Sequence, residues 1–395
     1  MIDTHTPYAP LGGLTPYEFM RDYWQRKPLL IRQAFKHFCP ALTVNDIRRL
    51  VRREEVESRL VWKDQKGWHM KQGPLNRLPS QQRDNWTVLA QNVDAHDDSI
   101  AALMHQFRFI PDARLDDVMI SIAGKGGGVG PHFDSYDVFL LQGAGKRRWQ
   151  ISRQKSLELQ AGLPLKILSR FEPEQTWELE PGDMLYLPPH IAHDGVAMGN
   201  NCMTLSIGFR APTEAALACG LLEAAGDQIM ARLGSTSGLY GDPPLPGPVL
   251  NKTYKDQGTS PTHSPAKIPD KLIKEALAAA AKIQFNEALA ARFLGQWLSE
   301  PSRAAAFEPN LEGDIDLLNT PPTTGTLVLD RCTRLLYRNA YLFINGEVAP
   351  VKASAPLRLL ADQRQLNCSV LKKMSPGARD SLQAWLEDGW LQYQP

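Results

Sequence analysis

His132, Asp134 and His193 bear side chains that, gathered on one face of an ion, make a 2-His-1-carboxylate set. Such a set holds ferrous iron and leaves coordination positions open for chemistry, which points to an oxygenase. The first two stand in the run Gly-Gly-Gly-Val-Gly-Pro-His-Phe-Asp (126–134), the third in Leu-Pro-Pro-His-Ile-Ala-His-Asp-Gly (187–195).

A His-x-Asp pair alone carries little weight. With nine histidines and 43 acidic residues, about one His-x-acid pair is expected by chance. His96-x-Asp98 is such a pair, and it lies at an expected helix start, where aspartates act as caps. His132-x-Asp134 instead follows a glycine-rich turn at the expected start of a strand. Residues two apart on a strand face the same way and can reach one ion. Downstream, Pro181-Gly182-Asp183 makes a turn, Met184–Leu187 a strand and Pro188-Pro189 a corner. That is the pattern of cupin-type barrels, whose closure brings His193 to the same ion. His190 falls where such patterns usually carry glycine and is expected to lie outside the coordination shell.

The run Lys146-Arg147-Arg148-Trp149-Gln150-Ile151 alternates as a strand. Arg147 shares its face with Trp149 and Ile151, so its guanidinium is expected to be buried. A buried guanidinium is costly unless paired, and it prefers a bidentate carboxylate. A small dicarboxylate such as 2-oxoglutarate offers one, while its keto-acid end chelates iron. The bland alternative is a protein carboxylate partner or a solvated basic cluster. Thr204 and Ser121, each on an expected strand, are candidates to add a hydroxyl to the same carboxylate.

The elements that must position these groups follow from pattern. A first helix begins with Thr15 as cap, Pro16 in the first turn and Glu18 completing a capping box. Leu60–Lys63 and Trp68–Lys71 read as a hairpin around Lys66-Gly67, and 98–107 as a helix. Strands are expected at 118–123, 138–142, 147–151, 176–179, 184–187 and 204–209, spaced as in an all-β sandwich or barrel. A helix with Leu217, Leu221, Ala225, Ile229 and Leu233 on one face follows, then seven prolines within 241–269, read as an extended or mobile loop. Helices are expected at 270–283 and 286–299. Residues 311–395 read as a small α+β unit of winged-helix type, with strands at 326–329, 341–345 and 390–393 and helices at 357–362 and 376–386.

At 395 residues the chain exceeds one typical domain, and its net charge of +1 gives no reason to expect nucleic-acid or membrane binding. From residue 311 onward nine Lys/Arg balance nine Asp/Glu, which argues against direct DNA binding by that unit. No apolar run reaches spanning length, and no secretory signal is expected in MIDTHTPYAP. The five cysteines show no Cys-x-x-Cys spacing, which fits a reducing cytoplasm.

The runs His-Phe-Asp-Ser-Tyr-Asp-Val-Phe-Leu-Leu-Gln-Gly-Ala-Gly-Lys-Arg-Arg-Trp (132–149) and Gly-Asp-Met-Leu-Tyr-Leu-Pro-Pro (182–189) resemble the JmjC-type ribosomal oxygenases. Tyr-Trp-Gln-Arg-Lys-Pro-Leu-Leu-Ile (23–31) and Ser-Ile-Gly-Phe-Arg-Ala-Pro (206–212) are similar to the bacterial branch, whose members hydroxylate an arginine of a large-subunit ribosomal protein. The resemblance implies a mixed fold. A JmjC domain over 1–211 would carry a double-stranded β-helix core at about 115–211. A helical dimerisation region over 212–310 and a winged-helix-like domain over 311–395 would follow. It implies His132, Asp134 and His193 as iron ligands and Arg147 as the grip on 2-oxoglutarate, with dioxygen as second substrate. A homodimer acting on a ribosomal protein is expected. The stretch 241–269 departs from the family as an insertion.

A cationic arginine substrate favours acidic groups near the mouth. Asp137 and Asp194, each close in sequence to a ligand, are candidates, with Tyr136 beside them. Two other readings compete: a lysyl demethylase with the same iron chemistry, which would favour an aromatic cage, and a non-enzymatic ribosome- or RNA-binding module with a vestigial barrel.

Overall fold

The computed structural model describes residues 2–235, 238–309 and 315–395. The expected boundary at 310/311 lies outside the described residues. The chain divides into two compact units, residues 1–211 with 302–307, and residues 212–301 with 308–395.

The first unit opens with helix α1 (Pro16–Asp22). Thr15 accepts from the Glu18 backbone N–H while the Glu18 carboxylate accepts from the Thr15 N–H, so the capping box is formed. Strand β1 (Leu29–Ile31), helix α2 (Val44–Leu50) and the hairpin β2 (Ser58–Asp64) and β3 (Gly67–Gln72) follow. The hairpin turns at Gln65-Lys66, one residue earlier than expected, since Asp64 pairs with Gly67. Next come β4 (Trp86–Ala90), α3 (Asp98–Met104) and β5 (Leu115–Ala123). Asp97 caps α3 by accepting from the Ser99 and Ile100 backbone N–H groups, the capping role expected of the aspartates after His96. The barrel is completed by β6 (Val138–Ala144), β7 (Arg147–Ser152), β8 (Gln175–Leu179), β9 (Met184–Leu187), β10 (Ala192–Ala197) and β11 (Cys202–Phe209).

Among the described residues these strands form an antiparallel sheet ordered β1-β9-β6-β11-β5-β4-β2-β3 and a smaller one ordered β10-β7-β8. Side-chain alternation on the large sheet separates two cores. Val138, Leu140, Leu185 and Leu187 face the small sheet and pack with Trp149, Ile151 and Leu179. Their neighbours Phe139, Leu141, Met184 and Tyr186 face the other way and pack with Phe19 and Trp24. The Phe19 and Tyr186 rings meet edge-on at 5.0 Å, and Trp24 meets Phe209 at 5.2 Å. Burying such rings contributes about 3–5 kcal/mol each on truncation data, which fixes α1 against the back of the sheet and leaves the front for the site.

The second unit begins with α4 (Glu214–Arg232), α5 (Asp270–Ala280) and α6 (Glu287–Ser299). The face expected on α4 is only partly used: Ala225 is buried while Leu217 and Leu233 are exposed. The start of the proline-rich stretch is pinned, because Gln228 donates to the Tyr240 carbonyl and accepts from the Leu245 N–H. After α6 come β12 (Thr326–Leu329), β13 (Leu335–Arg338), β14 (Tyr341–Ile344), β15 (Glu347–Val348), α7 (Ala355–Gln363), β16 (Gln365–Asn367), α8 (Pro376–Glu387) and β17 (Leu391–Gln394). Leu327, Leu357, Leu382 and Trp385 centre their shared core. Among the described residues, no helix is long and apolar enough to cross a membrane.

Candidate active site

The sequence pattern puts His132 and Asp134 at the start of a strand; they sit instead in the segment before β6, outside any strand. His132 makes an isolated antiparallel bridge with His193 on β10. The His132 N–H donates to the His193 carbonyl at 2.9 Å, and the His193 N–H donates back at 2.7 Å. The His190 N–H donates to the Asp134 carbonyl at 2.8 Å. Three main-chain bonds therefore fasten one sequence motif to the other.

The side chains converge. Ligand atoms of His132, Asp134 and His193 all lie within 4.8 Å of one another. The His193 Nε2 stands 3.7 Å from an Asp134 carboxylate oxygen. Each histidine turns Nδ1 to a backbone carbonyl, His132 to Gly130 at 2.8 Å and His193 to Ile191 at 2.9 Å. A carbonyl only accepts, so in the neutral ring the proton sits on Nδ1 and the Nε2 lone pair is free for a metal. Burial, with His132 alongside, lowers the His193 pKa to about 4 and keeps the ring neutral, the form that ligates. His190, at a positive φ of 65°, takes a backbone conformation glycine favours and stands outside the cluster.

A cavity of about 410 Å³ opens in front of these ligands. Arg147 lines it, 4% exposed, on the apolar face of β7 with Trp149 and Ile151. Its Nη1 donates to the Gly195 carbonyl at 3.2 Å, while Nε and Nη2 are buried without a partner among the described residues. Two unpaired donors on one buried fork are the complement of a carboxylate. Gly195 is required here, since a Cβ would fall 2.5 Å from the Trp149 ring. Ser121 and Thr204 also line the cavity. Thr204 already donates to Gln142 at 3.0 Å, and Ser121 makes only a long contact, 3.5 Å, to the Thr204 carbonyl.

The three substrate candidates separate. Tyr136 lines the cavity and is partly exposed. Asp137 does not reach the mouth: it is fully buried, accepting from Tyr186 Oη at 2.6 Å and Gln25 Nε2 at 2.9 Å, with Arg114 at 3.5 Å. It joins the segment after α1 to β9, a structural role. Asp194 alternates with the cavity-lining His193 and Gly195 on β10 and is not among the lining residues. Burial raises its carboxyl pKa against the pull of His132, Arg148, Arg147 and Lys63.

The cavity carboxylate that the sequence reading missed is Asp117. It shares the β5 face of Met119 and Ser121, and all three line the cavity. The expected strand begins at Val118, three residues after the observed start at Leu115; extending the alternation from Ser121 by two steps reaches Asp117. Burial, reinforced by Asp94, pushes the Asp117 carboxyl up to about 7.

Comparison with known proteins adds to this geometry. Residues 102–217 match the JmjC domain family, and residues 281–392 match the ROXA-like winged helix. The ribosomal protein uL16 3-hydroxylase of Escherichia coli is 38% identical over 231 residues, 58% of this chain and 60% of that protein. A probable ribosomal oxygenase of Haemophilus influenzae is 39% identical over 53% of this chain and 52% of that protein. The alignments thus span less than two thirds of these relatives. The solved structure of E. coli ycfD superposes over 96% of this chain and 98% of its own, with a TM-score of 0.79 at 27% identity. A structure of the same protein in complex with cobalt and 2-oxoglutarate gives 0.77 over 97% of this chain and 99% of its own. With the His-Asp-His cluster, these likenesses give the chain a JmjC domain and a ROXA-like winged helix and relate it to the E. coli uL16 3-hydroxylase.

Proposed function

We propose that the chain is an Fe(II)- and 2-oxoglutarate-dependent oxygenase that hydroxylates an arginine side chain of ribosomal protein uL16. The observation that carries the reading is Arg147: a buried guanidinium with two unpaired donors in the same cavity as a His-Asp-His cluster. The donor set suits iron, with two neutral imidazoles and one carboxylate.

His132, Asp134 and His193 would hold the metal, and the two Nδ1–H bonds to carbonyls set the ring planes. Bound iron supplies the activation of dioxygen, coupled to decarboxylation of 2-oxoglutarate to succinate, that C–H hydroxylation needs. Arg147 holds the distal carboxylate of 2-oxoglutarate, and Trp149 walls the same end. Asp117, deprotonated, attracts the substrate guanidinium, with Tyr136 and Ser206 lining the same cavity. Asp117 is what favours an arginine here: a planar guanidinium takes a carboxylate in two parallel hydrogen bonds, which a methylated ammonium does not.

The relative's name points to uL16 as substrate. The test is succinate formation dependent on Fe(II), 2-oxoglutarate and uL16, with one oxygen atom added to an arginine-containing uL16 peptide by mass spectrometry. Turnover without that added mass would replace the substrate but not the chemistry. A second copy of the chain is the proposed partner of α4 and α5, where Leu217, Leu222, Leu272, Ile273 and Leu277 stand exposed. Size-exclusion chromatography with light scattering reads that directly.

A further inference from the structure

The cavity extends past the metal cluster onto β4 and β2, and there it holds polar groups that the proposed reaction leaves unused. Thr204, Ser121, Leu89 and Arg59 stand opposite one another in register across β11, β5, β4 and β2. All four line the cavity. Gln91 continues the same face just beyond β4 and lines it too. Arg59 Nε is buried without a hydrogen-bond partner, and so is Gln91 Oε1. Tyr136 stands within electrostatic range of both Asp117 and Arg59.

Three strand spacings separate β11 from β2, about 14 Å. The target guanidinium carries donors only, so it cannot satisfy the Arg59 Nε–H. Whatever satisfies Arg59 and Gln91 therefore belongs to a flanking part of the substrate. The two residues lie on the same sheet face, diagonally placed, close enough for long side chains to grip one group. One presents a donor and the other an amide, and the match to both is one residue of an extended chain, whose C=O and N–H point to the same side. Its carbonyl accepts from Arg59 Nε, and its N–H donates to Gln91 Oε1. Leu89 and Val61 beside them offer apolar surface.

We infer that Arg59 and Gln91 form a main-chain subsite that holds the polypeptide beside the target residue, so that the enzyme reads an extended peptide rather than an isolated side chain. The inference rests on the proposed hydroxylation of a protein arginine. A buried donor without a partner costs stability in the free protein, so Arg59→Met, which keeps the stem and removes the guanidinium, is expected to leave the melting temperature unchanged or raised. A lowered one would show a structural role and overturn the assignment.

The experiment measures hydroxylation of a synthetic uL16 peptide carrying the target arginine by wild-type, Arg59→Met and Gln91→Leu enzymes loaded with Fe(II) and 2-oxoglutarate. Peptide KM is expected to rise about tenfold in each variant, with the 2-oxoglutarate KM and peptide-free succinate formation unchanged. The same rise must persist when any acidic residue of the peptide is replaced by alanine. A rise that vanishes with one such carboxylate would mean that Arg59 reads a side chain, and the main-chain subsite would be wrong. An unchanged peptide KM in both variants overturns the subsite while the proposed function stands. Absence of hydroxylated peptide from the wild-type enzyme overturns uL16 as the substrate, and the subsite with it, an outcome distinct from an unchanged KM.

Discussion

His132 and His193 exchange both of their backbone hydrogen bonds, 2.9 and 2.7 Å, across 61 positions of sequence. The main chain, not the metal, therefore brings the two ligand motifs together. His132→Ala and Asp134→Ala should each keep the fold, since neither substitution touches that bridge. Cobalt(II) binding, followed by its visible absorption, should weaken by more than about 100-fold, beyond what outer-shell substitutions cost. Melting temperatures within a few degrees of wild type complete the expectation; collapse of the fold would mean that the side chains, and not the bridge, hold the segment.

Arg147 separates a co-substrate grip from a structural cation. Its Nε and Nη2 have no partner among the described residues, and Nη1 makes one long bond, to Gly195, so Arg147→Met should change the stability of the apo protein little. Truncating one partner of a buried charged pair typically costs 2–5 kcal/mol of binding, so the 2-oxoglutarate requirement should rise by about 30-fold or more. Arg147→Lys should recover only part of this, because an ammonium cannot reproduce the two-pronged contact. Steady-state kinetics in 2-oxoglutarate, with a melt of each apo protein, read both halves.

Much of this site is legible in the residues themselves. Alternation along 147–151 places Arg147 on the apolar face, and the structure buries it there. The capping box at Thr15 and the left-handed position of His190 are likewise local properties. Other features are not local. Nothing in the run Trp-Thr-Val-Leu-Ala marks β4, because a central strand covered on both faces carries no alternation. Gln91 and Arg59 become site residues only through the pairing of β4 with β2. Asp137 misled because closeness in sequence to a ligand says nothing about facing: it precedes the cavity-lining Val138 but turns to Tyr186 and Gln25 instead.

Asp117 should give substrate binding a pH dependence near neutrality. Its folded-state pKa of about 7 is far above the ordinary 3.8, through burial and then Asp94, itself raised to about 6. The two carboxyls titrate as a neighbouring pair. Affinity for a cationic peptide should rise as pH climbs from 6 to 8 and Asp117 ionises, with KM falling over that window. Stability moves the opposite way. A group whose folded pKa is raised holds its proton more tightly in the fold, so its contribution is full below pH 3.8 and is lost as pH rises through 7. Asp117→Asn should flatten both curves, giving weak peptide binding at every pH and a higher melting temperature at pH 8. A KM profile unchanged by Asp117→Asn would remove Asp117 from the substrate end of the cavity.

Asp137 is the control for that assignment. It is fully buried and accepts from Tyr186 and Gln25, with Arg114 nearby. The Tyr186 hydroxyl pKa is raised, by burial first and then by this carboxylate, so it stays a donor across the working range. Asp137→Ala strands three donors at once in the join between the α1 segment and β9. Breaking a buried charged pair by removing one partner costs about 3–5 kcal/mol, so the melting temperature should fall clearly. The peptide KM of the enzyme that remains folded should stay near wild type, because the carboxylate does not line the cavity. Asp137→Asn keeps the shape and some acceptor capacity and should fall between the two. If instead Asp137→Ala melts like the wild type while its peptide KM rises, the carboxylate belongs to substrate binding after all, and the burial argument fails.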